Sequence, residues 1–433
     1  MTGALARYLR SFTGFSRDAR LFLLTTIVYG AALSLYWIDF NLYLESIGMG
    51  SLIGLMLSAS MLAGFLVALP ASALSDRFGR RTLMAAGMTL VAVALLALLP
   101  GQQMLLFMGV VALGAGSQIV AVVQIPFIAE HTLPEQRNEY FSLWSALGFL
   151  TTLVSAVIGG AVATGLAAQL GYVSAAAPYR ILLIGVAILG VVSLGTVYLL
   201  KSDRPAPDRV PTPGRGRFGL VIADRRLFFC LLLPGFLTSL GAGQLIPFLN
   251  VFVAGKFGLG LAAVNAIFAV ASLGTAIAIL AQPALARRFG RIGSIVLVQS
   301  ASIPFIVVLG FSPVLWTVVV ALTVRNSLMN AGSPIFDAFS MERVSPGERA
   351  TLAAGMTLLW SLGWVIGPIY YWLLQERLGP SGGYAVDFVT IIVLYTTATY
   401  LLWHWFRGTD RTADRGEVIA PIPVETPTLL EHA

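Results

Sequence analysis

Long apolar stretches alternate with short polar breaks along nearly the whole chain. A helix needs about 20 apolar residues to cross a bilayer, and most of these stretches reach that length. The pattern predicts an all-α membrane protein with twelve transmembrane helices. The predicted spans are about 20–45, 51–74, 82–99, 104–129, 140–167, 179–200, 227–254, 261–286, 293–310, 314–340, 351–376 and 387–406.

Composition supports a membrane protein over a soluble one. The 433 residues are 57% hydrophobic and 11% charged, whereas soluble domains carry about 25% charged residues. Cys230 is the only cysteine and the three histidines are far apart in sequence. We therefore expect no disulfide framework, no metal site and no cofactor.

The positive charges predict the orientation. Most of the 27 Lys and Arg fall in alternate breaks, on the side that also holds both termini and the central polar segment. The positive-inside rule places that side in the cytoplasm, so we expect a multi-pass protein of the cell inner membrane. The first apolar stretch is too long for a cleaved signal peptide. The net charge of +7 is thus explained by topology, and no nucleic-acid partner is expected.

The chain repeats one plan twice. The segments at 47–64, 75–81 and 130–137 match those at 257–274, 286–292 and 342–349, at a spacing of 210 to 212 positions. A Pro-, Gly- and Arg-rich segment separates six predicted spans from six. The predicted organisation is a six-helix bundle at 1–200, a cytoplasmic linker at 201–226, a second pseudo-symmetric six-helix bundle at 227–406 and a cytoplasmic tail at 407–433.

The charged breaks SDRFGRR and ARRFGRI occupy equivalent positions in the two halves. Each must join two antiparallel helices tightly, and Gly79 and Gly290 suit turns that need a positive φ. Pro247 and Pro334 lie within predicted spans and are expected to interrupt the backbone hydrogen bonds there.

These motifs resemble those of the major facilitator superfamily, across essentially all twelve spans. Its loop signature G-x-x-x-D-[RK]-x-G-[RK]-[RK] is matched with serine in place of the first glycine, at Ser72, Asp76, Arg77, Gly79, Arg80 and Arg81. Its E-x(6)-R motif is matched in both halves, by Glu130 and Arg137 and by Glu342 and Arg349.

The resemblance implies alternating access, in which two bundles rock around a central site. It places Asp76 against the N-terminus of the eleventh helix, near Arg349, when the cytoplasmic side is closed. It also implies that Arg77 and Arg81 reach toward Glu130. The predicted conformational lock comprises Asp76, Arg77, Gly79, Arg80, Arg81, Glu130, Arg137, Arg288, Arg291, Glu342 and Arg349.

Asp39 and Arg325 lie well inside predicted spans, where a charge costs about 2.5–3.5 kcal/mol. Asp39 is in the outer half of the first helix and Arg325 near the middle of the tenth. The resemblance implies that helices 1, 4, 7 and 10 line the cavity, so both are candidates for binding substrate or protons. A structural ion pair between them, or contact of Asp39 with interfacial water, is left open.

Amide side chains on the expected cavity helices, and two aromatic side chains, are further candidates. Each amide has an alternative role in helix-to-helix hydrogen bonding, and each aromatic ring in packing or at the membrane interface. These candidates are Gln118, Gln124, Gln244, Asn250, Asn326, Asn330, Tyr36 and Trp360.

The sequence therefore predicts a monomeric secondary transporter that moves a small organic molecule across the inner membrane, with proton-coupled efflux as the first expectation. The alternative is proton-coupled uptake of a sugar or organic acid, with Arg325 binding a carboxylate or hydroxyls. The absence of a P-loop and of H-E-x-x-H, G-x-S-x-G and C-x-x-C motifs argues against an enzyme. A channel would not need lock motifs in both halves.

Overall fold

Helices form from all the predicted apolar stretches in the structure, a computed structural model whose described residues are 14–133, 137–171, 174, 176–201, 222–345 and 348–407. These ranges contain no strand. The helices, α1 to α12 in chain order, are Arg17–Ser46, Ile53–Phe78, Arg80–Leu98, Gln103–His131, Arg137–Gln169, Ala177–Tyr198, Arg225–Leu245, Leu249–Phe257, Leu261–Phe289, Arg291–Phe311, Leu315–Arg343 and Arg349–Phe406.

The first long described helix of each half is capped at its N-terminus. The Ser16 hydroxyl accepts a hydrogen bond from the Ala19 N–H at 3.2 Å and caps α1. The Asp224 carboxylate accepts from the N–H groups of Arg226 and Leu227 at 2.8 and 3.0 Å and caps α7. These side chains satisfy N–H groups that the first turn of a helix leaves unpaired.

The seventh predicted span is interrupted at Pro247, as predicted. Helix α7 ends at Leu245, the 3₁₀ turn Ile246–Phe248 follows, and α8 continues the span. At Pro334 no such turn forms, because α11 runs unbroken from Leu315 to Arg343, and the predicted loss of a backbone hydrogen bond there stays a prediction.

Helix α12 is a hairpin of two antiparallel arms. Gly379 has φ 68° and ψ 175°, which breaks the helical geometry. The hydroxyls of Tyr371 and Tyr384 lie 2.9 Å apart, and so do those of Tyr370 and Thr390. Residues 13 positions apart on a straight helix would be separated by about 20 Å along its axis. The chain therefore reverses at Gly379, and the arms are residues 349–378 and 380–406.

Length and composition support ten of the twelve predicted membrane spans. Among the described residues, nine helical stretches are long and apolar enough to cross a bilayer, and the last is the whole of 351–406. This last stretch contains both arms of α12, so it accounts for two spans and the total is ten. Helices α9 and α11 occupy the places of the eighth and tenth predicted spans, and for these two the crossing stays a prediction.

Successive helices run between two ends of the molecule. We call the end with the turns at Gly79 and Gly290 and the chain at Lys201 and Ala223 the linker face. The opposite end, with the turn at Gly379, is the far face. The predicted linker and tail lie mostly outside the described residues, so the domain boundaries stay predictions.

The apolar cores differ between the two faces. At the linker face one core belongs to the first half, around Phe127 and Tyr140, and another to the second half, around Phe228 and Phe406. At the far face, one core includes Leu44 and Ile53 of the first half together with Phe248 of the second, and another core belongs to the second half, around Phe252 and Phe388. Among the described residues, the core shared by both halves is therefore the one at the far face.

The turns at Gly79 and Gly290 have the predicted backbone. Their φ values are 92° and 74° with extended ψ, a combination that essentially only glycine adopts. This confirms the sequence prediction for both halves.

We expect Gly79→Ala and Gly290→Ala each to destabilise the protein by about 1–3 kcal/mol, because a Cβ strains this backbone conformation. The measurement is the melting temperature of the purified protein in detergent, followed by tryptophan fluorescence. Gly185→Ala is the matched control, since its helical position has open space around a Cβ. Unchanged melting of both turn variants would contradict the strain argument.

Candidate functional site

Equivalent ion pairs lie beside the two glycine turns. In the first half, Nε of Arg80 lies 3.3 Å from Glu130 Oε1, and Arg80 also donates to the Ser75 hydroxyl at 2.6 Å. In the second half, Arg291 pairs with Glu342. Each pair ties the start of one helix to the end of the next, so the duplication of the sequence extends to the contacts.

The arginines on either side of Arg80 have other partners than predicted. Arg81 donates to the carbonyl oxygens of Val197 and Tyr198 at 3.4 and 2.8 Å, where a cation is favoured at the C-terminus of α6. The guanidinium of Arg77 lies 5.4 Å from the ring centre of Phe78. The prediction that Arg77 and Arg81 contact Glu130 is therefore wrong for this conformation.

The remaining lock residues are placed only in part. Arg349 begins α12 and donates to the Met341 carbonyl at 3.0 Å. The side chains of Asp76, Arg137 and Arg288 lie outside the described residues. The contact between Asp76 and the start of α12 stays a prediction.

Polar contacts between the halves cluster near the far face. Asn265 of α9 donates to the Asp39 carboxyl of α1 at 2.7 Å, inside the protein. Three other side chains donate to backbone carbonyls across the same interface. These are Asn41 to Pro247 at 2.6 Å, Asn250 to Ile38, and Ser58 to Val365 at 2.9 Å.

Asp39 is 2% exposed, and its second carboxyl oxygen has no hydrogen-bond partner. The amide oxygen of Asn265 is also unpaired. Tyr179 is the ionisable neighbour that interacts electrostatically with Asp39. The contact thus joins the two halves through a buried carboxyl group that has no positively charged partner among the described residues, and burial of an unpaired carboxylate is costly.

A cavity of about 510 Å³ lies within the second half, between α7, α10, α11 and both arms of α12. Arg325 lines it and is 4% exposed. Its guanidinium donates to the Tyr395 hydroxyl at 2.8 Å and to the Asn326 side-chain oxygen at 2.9 Å. Arg325 and Asp39 are not paired with each other, so the structural ion pair does not form here. The cavity reaches Leu231 and Leu402, which belong to the linker-face end of their helices.

Comparison with known proteins agrees with this architecture. The sequence model of the Major Facilitator Superfamily matches residues 22–368. The chain belongs to the major facilitator superfamily. No curated protein sequence matches it significantly.

Solved structures of superfamily members share the fold. A mutant form of the nucleoside transporter NupG matches with a TM-score of 0.74 at 13% identity, over 90% of this chain and 100% of its own. A bacterial homologue of the human lysosomal transporter Spinster, inward-facing and occupied, gives 0.69 at 15% identity over 90% and 96%. A D-xylose–proton symporter gives 0.68 at 13% identity over 92% and 97%. Membership of the superfamily indicates a multi-pass membrane transporter, and these neighbours share its fold.

Within this superfamily fold, the predicted polar and aromatic candidates separate into groups. Asn326, Asn330 and Trp360 line the cavity with Arg325. Gln118 and Gln124 are half-buried on α4. The other three lie in packed surroundings, with Gln244 donating to the Asp387 carbonyl at 3.3 Å, Asn250 bonded across the halves, and Tyr36 stacked on Phe40.

Asp387 is a buried acid that sequence reasoning missed. It is fully buried on the second arm of α12, and neither carboxyl oxygen has a hydrogen bond. Gln375 of the first arm lies beside it. The last predicted span begins at Asp387, so the sequence placed this residue at the polar boundary of the membrane. In the structure, the second arm of α12 begins about two helical turns before it. The signal was a lone acid next to an apolar stretch.

Glu348 ties the second half to the linker at the linker face. Its carboxylate accepts hydrogen bonds from the Ala223 N–H at 2.6 Å and from the Ser345 hydroxyl at 2.7 Å. These donors, with the Ala223 N–H as the larger cause, lower the pKa of Glu348 below its ordinary value of 4.5. A lowered folded-state pKa adds stability above the unfolded pKa, and acidification through the folded pKa removes it.

When the pH falls from 6 to below 4.5, we therefore expect the melting temperature of the wild-type protein to fall further than that of the Glu348→Gln variant. The reason is that only the wild-type side chain is a carboxylate that can lose its charge. Glu376→Gln, which changes an exposed acid at the far face, is the control. Equal losses in all three proteins would contradict the assigned role of Glu348.

Proposed function

We propose that this protein is a proton-coupled secondary carrier that exports a small organic molecule across the cell inner membrane by alternating access. The linker face is then cytoplasmic, in line with its arginines and the positive-inside rule. The observation that carries the proposal is the Asp39–Asn265 contact, because it places a titratable carboxyl inside the interface that closes the far face.

The conformation described here corresponds to a carrier closed at the far face. The halves share a core and polar contacts there, while the cavity around Arg325 extends toward the linker face. In the proposed cycle, substrate enters this cavity from the cytoplasm. Separation of the halves at the far face then breaks the cross-half hydrogen bonds and releases substrate outside.

Protonation of Asp39 supplies the coupling in this proposal. A neutral carboxyl is much cheaper to bury than a carboxylate without a cation, so a proton taken up from outside favours closure of the far face. Loss of that proton toward the cytoplasm favours reopening. Each cycle then moves a proton inward and a substrate molecule outward.

At the linker face, the pairs Arg80–Glu130 and Arg291–Glu342 hold the two glycine turns against α4 and α11. We propose that these fixed turns meet the opposite half when the linker face closes. The predicted contact of Asp76 with the start of α12 forms in that state.

The test is transport by purified protein in liposomes, with compounds chosen by a thermal-stability screen. An exporter that exchanges substrate for protons accumulates the compound in the more acidic compartment, whereas a proton symporter accumulates it in the more alkaline one. Protein-free liposomes control for passive trapping of weak acids and bases. Flux that neither saturates nor responds to the gradient would overturn the proposal.

A further inference from the structure

Arg325 is a buried cation whose described partners are all neutral. It donates to a tyrosine hydroxyl and an amide oxygen, and its guanidinium lies 5.6 Å from the ring centre of Tyr395. A guanidinium has five N–H donors, so these two bonds leave others for a ligand. No carboxylate lies within ion-pair distance of Arg325 among the described residues.

The carboxyl groups of neighbouring elements do not neutralise it. Asp337 lines the same cavity, but it is twelve residues farther along α11, about 18 Å along the helix axis. Asp387 is eight residues from Tyr395 on α12, about 12 Å along that axis. Asp39 is bonded to Asn265 instead. The positive charge is therefore left for an anion from outside the protein, since a buried unpaired charge is costly.

A second unsatisfied donor lines the same cavity. The indole N–H of Trp364 is buried and has no hydrogen-bond partner. Buried polar groups are nearly always paired in proteins. A ligand oxygen placed in the cavity can satisfy it.

The rest of the lining is suited to an apolar ring. Trp360 is 45% exposed, and Phe336, Met329 and Met356 also face the space. A volume of about 510 Å³ falls within the usual range of about 300–1,000 Å³ for small-molecule sites. Aromatic rings and thioethers pack well against aromatic ligands.

We propose that the transported molecule is an aromatic carboxylate, bound in this cavity with its carboxylate on Arg325. The planar guanidinium can bind both carboxylate oxygens. Trp364 donates to the ligand, and the ligand ring packs on Trp360. The physiological meaning of this site rests on the proposed transport function, although binding can be measured without transport.

The test uses three naphthalene probes of nearly equal size: 2-naphthoate, 2-naphthylmethanol and 2-naphthylmethylammonium. Their binding to the purified full-length protein is measured by thermophoresis. We expect the carboxylate to bind at least about tenfold more tightly than the alcohol, a difference of about 1.4 kcal/mol. The ammonium probe should bind most weakly.

Arg325→Gln is expected to remove the preference for the carboxylate and leave binding of the alcohol unchanged. Arg377→Gln removes an exposed arginine charge at the far face and is the matched control. Arg325→Lys keeps a positive charge without the planar fork, so it should retain part of the preference. It also keeps the test informative if the glutamine variant does not fold.

The proposal is overturned if 2-naphthoate does not bind, if the alcohol binds as tightly, or if the preference survives Arg325→Gln. Transport separates this result from the proposed function. Proton-coupled flux of neutral compounds alone would leave the carrier in place and reject the anion site. Arginine-dependent binding without proton-coupled flux would support the anion site and reject the proposed carrier function.

Discussion

Asp39→Asn carriers are expected to exchange substrate across a liposome membrane at close to the wild-type rate and to lose gradient-driven accumulation. Asparagine resembles the protonated carboxyl in size and hydrogen bonding but cannot release a proton. The far face can then open and close with substrate, but a proton gradient cannot drive the cycle because residue 39 no longer binds and releases a proton. We expect accumulation to fall by at least about tenfold, or about 1.4 kcal/mol of driving force.

Glu45→Gln is the matched control for this result. Glu45 lies on the same helix, six residues nearer the far face, and is exposed. Its removal should leave accumulation unchanged, and Asp39→Glu should restore part of the coupling. If Asp39→Asn still accumulates substrate in response to a pH gradient, Asp39 does not carry the coupled proton.

The duplicated Arg–Glu pairs could be predicted from the sequence because they depend on spacing. Glu130 and Glu342 are in register across the halves, and each pairs with an arginine of its glycine turn. The sequence did not identify which arginine. The turn places Arg80 beside α4 and directs Arg81 to the end of α6, and that choice depends on the packing of three helices.

The residues that line the cavity were harder to predict than the positions of the helices. Most helices here are apolar on nearly every side, so the sequence offers little indication of the face that turns toward the cavity. Gln244 and Asn250 lie on an expected cavity helix but bond to neighbouring backbone. Trp364, one turn from the predicted Trp360, also lines the cavity but is not among the predicted site residues.

Gly54→Ala is expected to open the far face. A Cβ at Gly54 would lie 2.4 Å from the Pro368 carbonyl oxygen and 2.8 Å from Trp372 Cβ. The nearest atom belongs to the backbone of α12, so α2 and α12 must separate, which also weakens the Ser58–Val365 hydrogen bond nearby. Overpacking costs about 1–3 kcal/mol, enough to shift the ratio of the two conformations by about 5- to 150-fold.

The separation is measurable with spin labels at Ser51 and Ser381, which line one cavity at the far face from opposite halves. Because Cys230 is the only native cysteine, Cys230→Ser gives a background in which only the introduced cysteines are labelled. Gly54→Ala should move the distance distribution to longer values. Gly148→Ala, where a Cβ has open space, should leave it unchanged. A stable Gly54→Ala protein with the wild-type distribution would show that the contact of α2 with α12 does not hold the far face closed.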